Sequence, residues 1–438
     1  MSAASEEKSE AANSANAAKS ANQAKPANSV RSGVLVVDKP QGVTSHDVVA
    51  AVRHALRIKR VGHAGTLDPM ATGILVIGFG SATRLLNYIT GSSKTYKTTI
   101  RLGASTNTDD ADGKITDRAL CEDIAKITDE LIYSAAEKLT GNIKQIPSAY
   151  SAVKINGKRA YESMRAGQSV ELKPRDINVS SFEINSISRT ESFIDVNAQI
   201  SCSSGTYIRA LGRDMGEALG IGGYLTMLRR TRVGGFEASD SACVKAQTRE
   251  KTYVNRQGET VERKQAFFAH DANLSEHRIS PVEAAKNVMP CVCVDEKSAK
   301  DLRFGRIAYA DLQNTNNFAK KIAENNEKSC FAAVLEKGSN FEAAAGEPAE
   351  NPAEHSSENP AENTADKRAE NTAKSEAELI SIVKKCGKNK IKPVVVFPTE
   401  NLKSEKCEKP AAVQNRQMSK PVLKSSGCEN SKPRESET

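Results

Sequence analysis

Residues 62–73 read GHAGTLDPMATG, and the apolar run ILVIGFG follows at 74–80. The first segment surrounds one carboxylate, Asp68, with glycines and small side chains, and no second acid stands near it in sequence. Pro69 biases the residue before it away from the helical region, so Asp68 is expected to project from an extended loop. Gly62, Gly65 and Gly73 let the backbone turn sharply and let a bulky ligand approach. The apolar run after the turn predicts a buried strand. On residue types alone such an Asp-Pro turn is as readily structural as functional, so its meaning depends on what surrounds it.

Upstream, GVLVVDK (33–39) is a second short apolar run that fits a buried strand. Thr44-Ser45-His46-Asp47 then matches a capping box, with Val48, Val49, Val52, Ala55 and Leu56 on one helical face. Downstream, KTYKTTIRLG (94–103) alternates, with Tyr96, Thr98, Ile100 and Leu102 sharing one face. Asn156-Gly157 between SAVKI and KRAYE signals a hairpin turn. ESFIDVNAQISC puts Ile194, Val196, Ala198, Ile200 and Cys202 on one side of a strand. The helix that follows in GTYIRALGRDMGEALG has Ile208, Leu211, Met215 and Leu219 as its buried stripe. Long strands joined by hairpins and interrupted by helices predict a mixed α/β (α+β) fold with a largely antiparallel central sheet.

Composition narrows the chemistry. The 438-residue chain is long enough for two or three domains, yet only 38% of it is hydrophobic, so part of the length is expected to lie outside any core. A net charge of +8 suits a polyanionic partner. Nine scattered cysteines suggest a reducing compartment, and Cys291-Val292-Cys293 lacks the spacing of a zinc site, so no metal is expected. No run of about 18 apolar residues exists and no signal-peptide core precedes the fold, so the expectation is a soluble, cytoplasmic protein with no membrane contact. GFGSAT (78–83) imitates a dinucleotide fingerprint, but Thr83 stands where a third small residue belongs and no acid follows about twenty residues on. No glycine-rich segment ends in Gly-Lys-Ser/Thr, which excludes a P-loop.

Six ordered segments carry a resemblance: DKPQGVTSHDVV, GHAGTLDPMATGILVIGFGSATRLLNY, KTYKTTIRLGASTNTDDADG, SAYSAVKINGKRAYE, CSSGTYIRALGRDMG and YLTMLRRTRVGGF. Together they closely resemble the bacterial tRNA pseudouridine-55 synthase family, whose relatives include dyskerin. The resemblance implies a pseudouridine synthase fold and a reaction that detaches uracil at N1–C1′, turns it while trapped, and rejoins it through C5. It implies that Asp68 is the catalytic aspartate, acting without metal, redox cofactor or second carboxylate. Attack on the sugar, addition to the base and removal of a ribose proton all remain open for it.

The same resemblance implies that Tyr96 stacks on the target base, that Arg209 pairs with the catalytic carboxylate and keeps it ionised, and that Tyr207 and Leu228 line the uridine pocket. It associates His63 with holding the RNA loop once the target has left the stack, an extrusion that costs a few kcal/mol. The implied partner is the T-arm of tRNA, bound by a monomer. Basic clusters (53–60, Lys94, Lys97, 154–159, Lys173, Arg175 and Arg229–Arg232) fit phosphate contacts along it. Two other readings stand beside this one: a non-catalytic RNA-binding or tRNA-folding protein, and a guide-dependent synthase of the dyskerin kind.

For organisation, the sequence predicts a disordered arm at 1–31, a catalytic domain at 32–242 and an inserted loop or hairpin at 243–277. An accessory RNA-binding-like domain is expected at 278–402, interrupted by a disordered acidic linker at 341–377, and a disordered tail at 403–438. CFAAVLEKG and KIKPVVVFP are expected to pair across that linker.

Overall fold

The computed structural model describes residues 31–151, 154–155, 158–159, 172–239, 242–254, 258–269, 272–310, 330–336, 377–387 and 389–399. The expected arm, tail and acidic linker lie almost wholly outside these residues. So do Asn156 and Gly157, although Lys154–Ile155 and Lys158–Arg159 on either side do pair antiparallel.

Among the described residues the main feature is a ten-stranded sheet. Its strands are β1 (Gly33–Lys39), β2 (Val61–Ala64), β3 (Thr72–Phe79), β4 (Lys94–Leu102), β5 (Gly141–Gln145), β6 (Arg175–Arg189), β7 (Ile194–Cys202), β8 (Gly223–Val233), β9 (Phe236–Glu237) and β10 (Cys243–Lys245). The order runs β10-β1-β3-β8-β4-β7-β6-β5, with β9 on β8 and β2 on β3. Only β1–β10 and β3–β8 pair in parallel, so the sheet is largely antiparallel, as the hairpin-rich sequence predicts.

The sequence pattern explains which strands are covered on one face and which on two. In β4 the residues Tyr96, Ile100 and Leu102 are buried while Lys97 is exposed, and β7 alternates strictly from Ile194 to Cys202. One face of these strands joins the core that holds helices α2 (Asp129–Lys138) and α3 (Ile208–Ala218), and the other faces solvent. Strands β1 and β3 read as unbroken apolar runs because both of their faces are covered. Leu35, Val37, Leu75 and Ile77 meet helix α1 (Ser45–Leu56), and Val34, Val36, Ile74 and Val76 meet a second cluster behind the sheet. Each large apolar side chain so enclosed contributes roughly 1.5–3 kcal/mol.

Helix α1 begins with the expected capping box: Asp47 N–H donates to Thr44 Oγ1 at 3.2 Å and Thr44 N–H donates to Asp47 Oδ2 at 2.8 Å. Val48, Val49, Val52 and Leu56 are buried, but Ala55 is exposed. It lies at the margin of the stripe, where helical period alone does not separate core from rim.

Behind the large sheet stands a five-stranded sheet of β13 (Cys291–Cys293), β14 (Ala308–Tyr309), β15 (Cys330–Glu336), β16 (Ala377–Lys385) and β17 (Lys390–Val396), in the order β13-β15-β16-β17-β14. The two apolar segments expected to pair directly are therefore separated by β16, AELISIVKK, which pairs with both. Ala332, Val334 and Ile382 pack with Val34, Val36 and Val76 in one cluster. The charged stretch after β10 forms a two-stranded ribbon, β11 (Gln247–Val254) and β12 (Thr260–Phe267).

Candidate active site

The loop between β2 and β3 carries Asp68, and it is tied down on both sides. Ser45, the first residue of α1, accepts from Leu67 N–H at 2.8 Å and donates to Leu67 O at 3.0 Å. Gly42 N–H donates to Pro69 O at 2.8 Å, and Ala71 N–H closes a turn on Asp68 O at 3.1 Å. The flanking peptides are thus held by α1 and the loop before it, and the Asp68 side chain remains 39% exposed.

That side chain faces a cavity of about 510 Å³ lined by Asp68, Tyr96, Ser151, Tyr207, Arg209 and Leu228, with Lys94 and Arg230 deeper in the sheet. This volume lies within the usual range for small-ligand sites. Arg209, from the first turn of α3, is only 4% exposed and donates from Nε to Asp68 Oδ2 at 2.9 Å. Its other nitrogens reach Thr108 O at 2.6 Å, Tyr150 O at 2.9 Å and Asp110 Oδ2 at 3.2 Å. One guanidinium therefore gathers an open carboxylate, a buried carboxylate and two loop carbonyls. Burial pushes the Asp110 carboxyl upward, against hydrogen bonding from Thr108 and attraction by Arg209.

Tyr96 lies opposite Ile200 on β7 and Arg230 on β8. It belongs to the main core and also lines the cavity, and burial raises its phenol above the ordinary range. Leu228, on β8, is likewise both core and cavity wall. Tyr207 stands just before α3, where the Gln145 side chain brackets its peptide: Tyr207 N–H donates at 2.9 Å and Tyr207 O accepts at 3.0 Å. Five of the six residues singled out from sequence, Asp68, Tyr96, Tyr207, Arg209 and Leu228, thus line one cavity.

His63 does not line it. It sits on β2 with its ring edge-on to His46, centroids 5.4 Å apart, and its buried Nδ1 has no hydrogen-bond partner among the described residues. Burial, with smaller contributions from His46 and Arg230, lowers its pKa from 6.5 to about 4. The native state then binds fewer protons than the unfolded chain across that window, so His63 makes stability fall as pH drops through it. In thermal melts, His63→Asn should lose stability less steeply than the wild type on acidification from neutral pH to about pH 5. Parallel pH curves would show that the ring is not held neutral by the fold.

Three basic residues near the cavity read from sequence as phosphate contacts or not at all. Arg230 is 1% exposed, donating to Ile74 O at 2.8 Å and Gly65 O at 3.0 Å. Lys94 donates to Thr90 O and Ser92 O at 2.9 and 2.7 Å. Lys39 is fully buried, donating to Val43 O at 2.8 Å and Pro40 O at 2.9 Å. Desolvation lowers both lysines to about 8. Arg229 is also engaged, in a two-point bond to Asp38 at 2.9 and 2.7 Å. Lys39, Lys94 and Arg230 thus brace backbone carbonyls around the cavity, and Arg229 is paired with a carboxylate. Gly73 has a similar internal role: a β-carbon there would lie 2.1 Å from Arg230 O, so its φ of +97° serves strand contact. Of the three loop glycines, Gly65 alone lines the cavity.

Among the described residues no group of His, Cys, Asp and Glu is arranged to hold a metal, and no helix is long and apolar enough to cross a membrane. Two family models match consecutive stretches: the TruB family pseudouridylate synthase N-terminal domain over residues 53–208, and the tRNA pseudouridylate synthase B C-terminal domain over 209–285. Asp68, Tyr96 and Tyr207 fall in the first, Arg209 and Leu228 in the second. The tRNA pseudouridine synthase B of Bifidobacterium longum (strain DJO10A) is 44% identical, over 63% of this chain and 88% of its own length. The protein of the same name from Cutibacterium acnes is 47% identical over 64% and 85%. One chain in the structure of an H/ACA RNP bound to a substrate RNA containing 2′-deoxyuridine superimposes with a TM-score of 0.51 at 18% identity, over 84% of this chain and 86% of that one, a likeness of fold. The chain belongs to the TruB family of pseudouridylate synthases.

Proposed function

We propose that the protein converts the T-loop uridine of tRNA, position 55, to pseudouridine, with Asp68 as its catalytic carboxylate. The observation that carries this reading is the 2.9 Å bond from buried Arg209 to a partly exposed Asp68 at the wall of a cavity of about 510 Å³. The isomerisation breaks N1–C1′ and forms C5–C1′ with no net oxidation, so it calls for no redox cofactor. It needs one charged oxygen beside the ribose and walls that keep the freed uracil from escaping. Asp68 supplies the first, as base or nucleophile. Tyr96 and Leu228, from adjacent strands, supply an aromatic face and an aliphatic face for the flipped base. Tyr207 closes the α3 side. His63, one strand away, is suited to the RNA loop around the extruded nucleotide.

The reading takes a monomer as the working unit, and the substrate implies the cytoplasm. Incubating the purified chain with an unmodified tRNA transcript, and no other RNA, should yield pseudouridine at the T-loop position alone when the product is mapped by sequencing. Product only after addition of a guide RNA would favour the dyskerin-like reading instead, and tight binding without product would favour a non-catalytic one.

A further inference from the structure

The ribbon β11–β12 has no role in the chemistry above, yet its sequence is sorted by face. The register pairs Arg249 with Gln265, Lys251 with Arg263 and Tyr253 with Val261, so these six side chains share one face. The other face takes Glu250 and Glu262, with Lys264 opposite Glu250. Every carboxylate of the two strands is thus on one side, and the opposite side is cationic with an aromatic near its end. All of β11 is exposed, and Tyr253 is 41% exposed.

A cationic pair directly across an antiparallel ladder, as in Lys251 and Arg263, destabilises the ribbon. Arg263 is relieved by Asp47 of α1, with Nη2 at 2.8 and 2.9 Å from the two carboxylate oxygens. Among the described residues Arg249 and Lys251 form no ion pair. An isolated ribbon is marginal in water, and this one is anchored at a telling place. Arg263 binds the N-terminus of α1, and Lys264 covers Gly42, its Cδ 3.0 Å from where a β-carbon would stand. Gly42 and Ser45 are the residues that hydrogen-bond the peptides on either side of Asp68. The ribbon therefore rises from the mount of the catalytic loop, and eight residues at about 3.3 Å each give it a reach of about 26 Å.

We propose that this ribbon is an RNA-binding arm, whose Arg249–Lys251–Tyr253 face takes the sugar-phosphate backbone of the tRNA engaged at Asp68. The inference rests on the tRNA reading above. Cations spaced along a strand suit phosphates, and the exposed tyrosine offers a stacking face. Neutralising Arg249 and Lys251 without shortening the ribbon is the test. In an Asp68→Asn parent, which prevents turnover, Arg249→Gln with Lys251→Gln should weaken binding to a tRNA transcript about tenfold near 0.1 M salt. The slope of log Kd against log salt should become shallower by about 1.5. Glu250→Gln with Glu262→Gln, on the other face, should not weaken binding, and circular dichroism melts should confirm that both variants stay folded. If the parent binds tRNA and the wild type modifies it, but the basic-face variant keeps the parent's affinity and salt slope, the ribbon proposal alone falls. Equal losses in both variants would overturn it too, because face sorting would then have no consequence. If the parent itself does not bind tRNA, the substrate reading falls and takes the ribbon with it.

Discussion

Asp68→Asn is expected to slow pseudouridine formation by about 10⁴-fold or more, the upper range for loss of a positioned acid–base group. Asparagine keeps the shape and an oxygen that can still accept from Arg209 Nε, so the cavity should persist. It cannot act as an anionic base or nucleophile. Binding should survive, and even tighten slightly, because the substitution removes a negative charge from a surface that meets phosphates. Asp68 also favours the protonated form of buried Lys39, so its loss should make that lysine easier to deprotonate. Single-turnover rates and equilibrium binding to the same transcript check the claim. A rate within a few-fold of wild type would remove Asp68 from the chemistry.

Arg209→Lys is expected to be nearly as damaging, for a different reason. The guanidinium serves two carboxylates and two carbonyls in a fixed planar fork, and an ammonium cannot reproduce that span. The lysine variant should turn over about 10²–10³-fold more slowly, because Asp68 loses its orientation. Arg209→Ala should in addition lose about 3–5 kcal/mol of stability, since Asp110 would be left buried without its cation. Chemical denaturation of both variants beside single-turnover kinetics separates the two effects. If the lysine variant kept full activity, Arg209 would be a structural brace only.

Much of the frame around this site was legible in the sequence because its local rules are strong, whereas the roles of Asp68, Tyr96, Tyr207, Arg209 and Leu228 came from the resemblance of six ordered segments. An Asp-Pro turn among glycines announces an exposed carboxylate, alternation in 96–102 and 194–202 announces half-covered strands, and Thr44–Asp47 announces a helix start. Arg209 falls beside the Ile208–Leu211–Met215 stripe in the helical pattern, and its burial beneath Asp68 depends on loops at Thr108 and Tyr150 that are distant in sequence.

What the sequence hid was mostly polar and internal. Lysine and arginine are read as surface residues because they are almost never fully buried without partners. Lys39, Lys94 and Arg230 find their partners in backbone carbonyls that the sequence does not reveal, and Arg230 reaches residues more than 150 positions away. Asp110 lies in NTDDADG, a run of polar and small residues with no apolar pattern to mark it as buried. Strand β16 begins where the acidic tract ends, and its lysines and glutamate blurred a core strand into the linker. The small sheet depends on that strand, so the pairing inferred from sequence skipped its central member.

The central claim is that one carboxylate, held by Arg209 at the cavity wall, drives the exchange of N1 for C5 at C1′. Formation of the C5–C1′ bond expels the hydrogen on C5, so a tRNA transcript carrying tritium at C5 of its T-loop uridine reports the event directly. Under single turnover the wild-type chain should release that tritium stoichiometrically, and Asp68→Asn should bind the same transcript and release none over the same interval. Release by Asp68→Asn at the wild-type rate would contradict the account.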